Sequence, residues 1–370
     1  MKPVRVLHMI GSLNIGGSQT FVINLLNSID RNKVQFDFVI DRPSDLHYAS
    51  MVESLGAKIY VFPTFTGTNL LAIRRKWDDF FSDHQEYKIL HSHIRSYASI
   101  FLPIAKRHGV KTIIHSHSTS NGNGLSSLVK RVLQYPLRYT ADYLFACSKE
   151  SGEWLFGKKA SQRKNFFVIK NVIELEKYTL DTQIREQYRK EMLLEGKNVF
   201  VHVGRLHPAK NHKFLLDVFS KISNSDSNAV LLLVGGGELE NEIKKQIDEL
   251  GINEKVKMLG SRGDVNNILM ASDCFLFPSL WEGVPLTVVE AQAAGLPCLV
   301  SDKVTEDVCI SELVKRIPID KGTTPWEKEI ASIEFTRKDV SDKIRNAGYD
   351  AKTLAIWLED FYEKVSKING

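Results

Sequence analysis

Residues 171–203 read NVIELEKYTLDTQIREQYRKEMLLEGKNVFVHV. As far as about Gly196 the stretch is densely charged and carries little strand signal, and NVFVHV (Asn198–Val203) then opens a new apolar, β-branched run. A polar connector followed by a fresh strand is the pattern of a joint between domains. The chain is therefore expected to divide into a first domain at 1–175 and a second at 176–350.

Both sides of the joint keep one rhythm. Ahead of it, VRVLHMI (4–10), FDFVI (36–40), KIYVF (58–62), KIL (88–90), TIIHS (112–116), YLFA (143–146) and FFVI (166–169) are short β-type runs, most of them separated by amphipathic stretches such as 96–107. Beyond it, NVFVHV is followed by AVLLLV (Ala229–Val234), KVKML (255–259), CFLFP (274–278) and PCLV (297–300), each trailed by a Gly, Ser or Asp loop and a helical segment. Such alternation specifies a parallel sheet covered by helices on both faces. The expected fold is α/β: two Rossmann-like, doubly wound parallel-sheet domains facing a central cleft, with ligands held by loops beyond the carboxyl ends of the strands. At the end of the chain, Leu354, Trp357, Leu358, Phe361 and Val365 recur at helical spacing. This last helix, 351–370, is expected to pack back on the first domain.

The 370 residues are 43% hydrophobic and 25% charged, a globular composition, and no apolar run approaches the roughly 18 to 20 residues of a membrane span. MKPVRVLHMIG reads as a first strand and not as a signal peptide, which points to the cytoplasm. Cys147, Cys274, Cys298 and Cys309 show neither a CxxC pair nor zinc-type spacing and read as reduced core thiols. The net charge of +5 is unevenly shared: residues 1–180 hold 24 Lys+Arg against 14 Asp+Glu, and the rest 25 against 30. A basic half can face nucleic acid, phosphorylated substrates or an anionic membrane leaflet. It lacks the interleaved aromatic and basic residues of a nucleic-acid surface, so no nucleic acid is expected as a partner.

Three loops carry chemistry. GSLNIGGSQTF after the first strand resembles a P-loop but has Gly17 where the phosphate-binding Lys would stand; Gly16 and Gly17 still let backbone N–H groups approach a phosphate at a helix N-terminus. GRLHPAKNH puts Arg205 and Lys210 around a turn that opens a helix, a clamp for a diphosphate. In FLFPSLWEGVPLTVVEAQAAGLP, Pro285 sits where the first residue of a helix is expected, Glu282 precedes that helix and Glu290 lies in it among apolar residues. A carboxylate there needs hydrogen-bond donors, and sugar hydroxyls supply them. The two HSH runs, at 91–93 and 115–117, could suggest a metal, but no carboxylate motif accompanies them and no metal site is expected.

Taken together, the E-x7-E pair Glu282 and Glu290, GRLHPAKN, VGGGELE, LGSRGDV and the GG opening of the first helix resemble a glycosyltransferase of family 4, and within it bacterial exopolysaccharide and capsule enzymes. The resemblance implies the GT-B fold, retention of anomeric configuration and a nucleotide-sugar donor. It implies that Arg205 and Lys210 bind the diphosphate together with the N–H groups of Gly283, Val284, Pro285 and Leu286, the proline supplying only its place in that run. Glu290 would accept the ribose hydroxyls and Glu282 would stand beside the transferred sugar. Arg262 falls where main-chain groups hold the base, Gly16 and Gly17 match the loop that closes on the phosphates, and His117, with His115 as its rival, matches the histidine near the sugar. SDKVTEDV, after strand PCLV, departs from the family's usual glycine-rich loop.

The expected reaction moves a hexose from a nucleotide diphosphate sugar, a UDP-sugar by family precedent, to a saccharide or lipid-linked saccharide acceptor, with no cofactor and, there being no DxD, no metal. A catalytically inactive nucleotide-sugar-binding regulator is the alternative. The amphipathic segment Leu125 to Arg138, with Lys130 and Arg131, is expected to touch an anionic membrane surface.

Overall fold

The computed structural model describes residues 2–43, 46–119 and 125–368, with the side chains of Leu125 and Ser126 outside the described set. The chain forms two compact units, Met1–Val172 with Ala351–Gly370, and Ile173–Asp350. In the first unit the elements run β1 (Val4–Met9), α1 (Gly17–Ser28), β2 (Val34–Ile40), α2 (Ala49–Ser54), β3 (Ile59–Val61), α3 (Leu70–Asp83), β4 (Ile89–Ser92), α4 (Ala98–Arg107), β5 (Lys111–Ser116), α5 (Leu125–Gln134), α6 (Leu137–Thr140), β6 (Tyr143–Ala146), α7 (Lys149–Phe156) and β7 (Phe166–Val168). The second continues with α8 (Thr182–Glu191), β8 (Asn198–Val203), α9 (His212–Ser225), β9 (Ala229–Val234), α10 (Glu240–Leu250), β10 (Val256–Gly260), α11 (Val265–Ala271), β11 (Cys274–Phe277), α12 (Leu286–Ala293), β12 (Cys298–Ser301), β13 (Val314–Ile317), α13 (Thr324–Ala331) and α14 (Ser341–Asn346). The chain then returns to the first unit as α15 (Ala351–Lys367).

Every strand pairing within the sheets is parallel. The first sheet has the order β3-β2-β1-β4-β5-β6-β7 and the second β10-β9-β8-β11-β12-β13. Helices cover both faces because inner strands are apolar on both, as the fully buried AVLLLV of β9 illustrates. Phe21, Leu25, Phe36 and Tyr362 fill one side of the first sheet, and Trp77, Phe80, Phe101 and Leu137 the other. In the second unit Leu215, Phe219 and Trp326 pack on one face, and Phe275, Val288 and Ala291 on the other.

Two boundaries differ from expectation. The first unit ends at Val172 and not at 175, because the Val172 carbonyl accepts from Asn24 Nδ2 at 2.8 Å, whereas the Ile173 amide donates to the Tyr349 carbonyl at 2.9 Å. Pro285 caps α12 and does not open it. β13 is an unanticipated edge strand whose Lys315 and Arg316 hide its pattern, and charged side chains suit an edge that must not pair further. Of the cysteines, Cys274 and Cys298 are buried and Cys309 is exposed.

The apolar stripe of α15 buries Leu358, Tyr362 and Val365 against α1 and the first sheet, each worth about 1.5–3 kcal/mol if fully removed from water. Its buried Glu359 accepts from the Asp30 amide at 2.7 Å and Lys33 Nζ at 3.2 Å. On α5, α6 and the turn between them, Leu128, Val129, Val132, Tyr135 and Tyr139 remain exposed. Among the described residues no helix is long and apolar enough to cross a membrane.

Candidate active site

Each sheet reverses its strand order once, between β1 and β4 in the first unit and between β8 and β11 in the second. Loops leaving neighbouring strands in opposite directions open a crevice at the carboxyl ends, the ordinary ligand position in such sheets.

In the second unit the crevice is built by tying two loops together. After β8, Asn211 adopts a left-handed φ of 57°, a conformation its short polar side chain tolerates. Its Nδ2 donates to the Pro278 carbonyl at 3.2 Å, and the Leu280 amide donates to the Ala209 carbonyl at 2.8 Å. These bonds bring Lys210 Nζ to 2.6 Å from Glu282 Oε1, with the two side chains only 16% and 15% exposed. The ammonium also lies over the Phe277 ring, 4.6 Å from its centroid. Arg205 stands apart from this pair: its side chain is largely exposed, and it donates to Glu238 at 3.1 Å. Glu238 reaches it because Gly235 and Gly237 let the loop after β9 press on the loop after β8; a Cβ would stand 2.0 Å from the Gly204 carbonyl oxygen at the first and 2.4 Å from that of Leu206 at the second.

Beyond Glu282, Gly283, Val284 and Pro285 lead to Leu286 and α12, whose first-turn amides receive no side-chain cap. Glu290 retains some surface, yet desolvation raises its carboxyl to about 7 against an opposing hydrogen bond from Tyr178. Polar atoms with no partner of their own lie close by: Ser279 Oγ, Thr287 Oγ1 and both ring nitrogens of His212, whose pKa is lowered to about 4 by burial and by Lys210. Arg262, in the loop after β10, spends its guanidinium on Asp264 at 2.8 and 2.6 Å. The structure thus joins Lys210 to Glu282, while Arg205 and Arg262 each hold a carboxylate of their own. Glu238, Asn211, Tyr178 and Ser279 are the neighbours that sequence reasoning missed, although Glu238 lay in plain view inside VGGGELE.

In the first unit α1 begins at Gly17 with Gly16 as an uncapped N-cap in extended conformation, φ 179°. Neither glycine is required by backbone strain, and a Cβ on Gly17 would meet nothing within 4 Å. What the pair supplies is open access to the first amides of α1.

Beside this loop, five histidines gather at three strand ends: His8 on β1, His91 and His93 on and after β4, His115 and His117 on and after β5. Parallel register sets His8 opposite His91, and the period-2 alternation of strands turns each pair to one face. Burial lowers the pKa of all five, His8 to about 3 and His117 to about 4. His8, His91 and His93, and again His93, His115 and His117, bring ring nitrogens within 4.8 Å of one another. The His8–His93 and His93–His117 contacts of 3.0 and 2.8 Å are hydrogen bonds, tighter than the roughly 3.3 Å that separates two nitrogens on a tetrahedral zinc with Zn–N near 2.0–2.1 Å. His117 has both ring nitrogens so engaged, the second with Asn171 Oδ1 at 3.4 Å, whereas His115 Nε2 has no partner.

Comparison with known proteins follows the same division. Residues 15–177 match the model of glycosyltransferase family 4, and residues 183–348 that of glycosyl transferases group 1. The chain is similar to the putative glycosyltransferase EpsF of Bacillus subtilis (strain 168), 30% identical over 358 residues, 94% of this chain and 93% of that protein. It is also 31% identical over 231 residues, 59% of this chain and 58% of the relative, to the Escherichia coli UDP-Gal:alpha-D-GlcNAc-diphosphoundecaprenol alpha-1,3-galactosyltransferase. Among solved structures, Anabaena HepE in complex with UDP and glucose superposes with a TM-score of 0.70 at 18% identity over 98% of each chain. That likeness shows the fold, which is GT-B.

Proposed function

Because the chain belongs to glycosyltransferase family 4, and is a glycosyltransferase of polysaccharide biosynthesis, we propose that it transfers a hexose, with retention, from a UDP-sugar to a hydroxyl of a saccharide or lipid-linked saccharide, without a metal ion. The observation that carries this reading is the Lys210–Glu282 pair, held between two strand-end loops directly before the uncapped start of α12.

The costly event is departure of the nucleoside diphosphate. The bond from the anomeric carbon to the phosphate oxygen breaks, the acceptor oxygen bonds to that carbon on the same face, and the acceptor's proton passes to a phosphate oxygen of the leaving group. Lys210, Arg205 and the first amides of α12 oppose the charge that develops, in the manner of a preorganised oxyanion site. The diphosphate displaces Glu282 and Glu238 from the two cations; Glu282, once released, faces the sugar. Glu290 accepts the ribose hydroxyls, main-chain groups at Arg262 hold the base, and Gly16 and Gly17 admit phosphate oxygens to α1. His117 meets a sugar hydroxyl. The E. coli relative, whose name states a UDP-linked donor and a diphosphoundecaprenol acceptor, supports the choice of both classes.

The same reading puts the enzyme in the cytoplasm, reversibly attached to the anionic inner face of the cell membrane. Its support is the more than half-exposed Leu128, Val129, Val132, Tyr135 and Tyr139 beside Lys130 and Arg131. Cosedimentation with anionic liposomes should weaken with salt and with Lys130→Glu plus Arg131→Glu; binding indifferent to lipid charge counts against it.

The deciding experiment incubates labelled UDP-sugars in EDTA with a panel of lipid-linked saccharide acceptors and follows the melting temperature alongside transfer. The reading requires both a donor-induced rise in melting temperature and labelled product. A rise without transfer to any acceptor favours a nucleotide-sugar-binding regulator, and neither effect with any nucleotide sugar rejects the site.

A further inference from the structure

A sugar-binding role of His117 does not need four more rings behind it, yet the first unit places His8, His91, His93 and His115 there. Hydrogen bonds arrange them in two lines. One line runs from His8 Nδ1 to His93 Nε2 at 3.0 Å, from His93 Nδ1 to His117 Nε2 at 2.8 Å, and from His117 Nδ1 to Asn171 Oδ1 at 3.4 Å. The other joins Tyr362 Oη to His91 Nδ1 at 2.8 Å and His91 Nε2 to His115 Nδ1 at 3.3 Å.

A neutral imidazole carries one N–H and one lone pair, so in a line of neutral rings the tautomer of one determines the tautomers of all. The first line has two possible directions. In one, the Nδ1–H groups of His8, His93 and His117 donate in series and Asn171 Oδ1 accepts, leaving a lone pair at His8 Nε2. In the reverse direction His8 Nε2 carries an N–H with nothing to receive it. His8 Nε2 is buried without a partner, and an orphaned buried N–H is the rarer and costlier arrangement than an unused acceptor. The geometry therefore selects the first direction.

We propose that His8 and His93 are positioning residues that hold His117 in its Nδ1–H tautomer, so that the ring presents a hydrogen-bond donor, and not a base, where Asn171 Oδ1 now sits. At 3.4 Å the Asn171 contact is the longest in the line, beyond the usual 2.7–3.2 Å of an N–H···O bond. Asn171 is thus the exchangeable partner, which a sugar hydroxyl oxygen replaces at shorter distance. The tautomer follows from the first unit alone; its use on a sugar rests on the proposed reaction. In that use the chain selects an acceptor atom, a sugar oxygen, and deprives His117 of any part in removing the acceptor hydroxyl's proton, in keeping with transfer of that proton to the leaving phosphate.

The test is long-range proton–nitrogen NMR on the full, nitrogen-15-labelled chain, in which protonated and lone-pair ring nitrogens resonate far apart; the His117 signals are identified by their loss in His117→Asn. In the unsubstituted protein His117 Nδ1 should be the protonated nitrogen and Nε2 the bare one. His93→Gln, whose amide can accept from His8 and donate to His117, should keep this pattern and most activity. Asn171→Ala should also leave this pattern intact, because His93 still donates to Nε2. His93→Phe combined with Asn171→Ala removes both partners of the ring and should mix the tautomers, and His93→Phe alone should lower kcat/KM by about tenfold, the worth of one hydrogen bond, chiefly through KM. A protonated Nε2 on His117 in the unsubstituted protein, or an unmixed tautomer in the double variant, overturns the proposal. The spectrum of the unsubstituted protein decides the tautomer even if the double variant fails to fold. The expected tautomer in a protein that transfers no sugar leaves the chain standing and rejects the reaction.

Discussion

The two switch points occupy equivalent places in two sheets of the same topology, yet their chemistry is opposite. At the ends of β8, β9 and β11 the second unit sets Lys210 on Glu282 and Arg205 on Glu238, charges that exist before any ligand arrives. At the ends of β1, β4 and β5 the first unit sets neutral imidazoles, four buried and His117 partly so, bonded to one another. Topology supplies the position; the side chains decide what can be held there. An anion requires fixed positive charge, because reorganising water or protein at the moment of reaction is slow and costly. Hydroxyl groups instead require donors and acceptors of definite tautomer, which neutral rings shielded from solvent retain.

The largest test of this contrast is Lys210→Ala. It should lower turnover by roughly two to three orders of magnitude, comparable to the loss of one preorganised electrostatic contact, with the fold intact. Steady-state kinetics against His93→Phe makes the comparison sharp: a similar loss in both variants would erase the division between a charged and a neutral end.

Acid should separate the units next. Each of the five histidines of the first unit has its pKa depressed below the roughly 6.5 of an unfolded chain, against His202 and His212 in the second. A depressed group leaves stability whole above the unfolded pKa and drains it as pH falls from about 6.5 towards the folded value, by at most about 1.4 kcal/mol per pH unit for each histidine. Between pH 6.5 and 5, hydrogen exchange corrected for its intrinsic rate should therefore rise in β1, β4 and β5 before it rises in β8 and β11. Opening of the second unit first would break the argument.

The smallest effect is expected at Glu290, whose carboxyl is raised to about 7 by desolvation. As pH falls through that value the carboxylate is protonated and accepts ribose hydroxyls less well. Affinity for an intact UDP-sugar, whose diphosphate diester does not titrate in this range, should decline by up to about tenfold. Glu290→Gln should bind weakly at every pH and lose the dependence, as calorimetry across pH 6 to 8 would register; an unchanged slope would remove Glu290 from the donor site.

Much of this was legible in the chain before folding. Strand–helix alternation needs only local pattern, so all strands but β13, masked by Lys315 and Arg316, could be read from their apolar runs. Glu282, Glu290, Arg205 and Lys210 stood out because they occur in short motifs at strand ends. Who pairs with whom did not, since contacts between distant segments leave no local periodicity: Lys210 and Glu282 are 72 positions apart, and Arg205 and Glu238 are 33.

By itself, then, the sequence determined the fold class, the tandem units and the family, all of which are written in spacings of a few residues. Only the tertiary structure decided that His8, 85 positions from His93, joins the two HSH runs, that Asn171 closes the line, and that α15 returns to bring Tyr362 to His91. The physical reason is that a parallel sheet makes neighbours of strands far apart in the chain, and a buried imidazole takes its tautomer, and so its chemistry, from whichever neighbour the sheet provides.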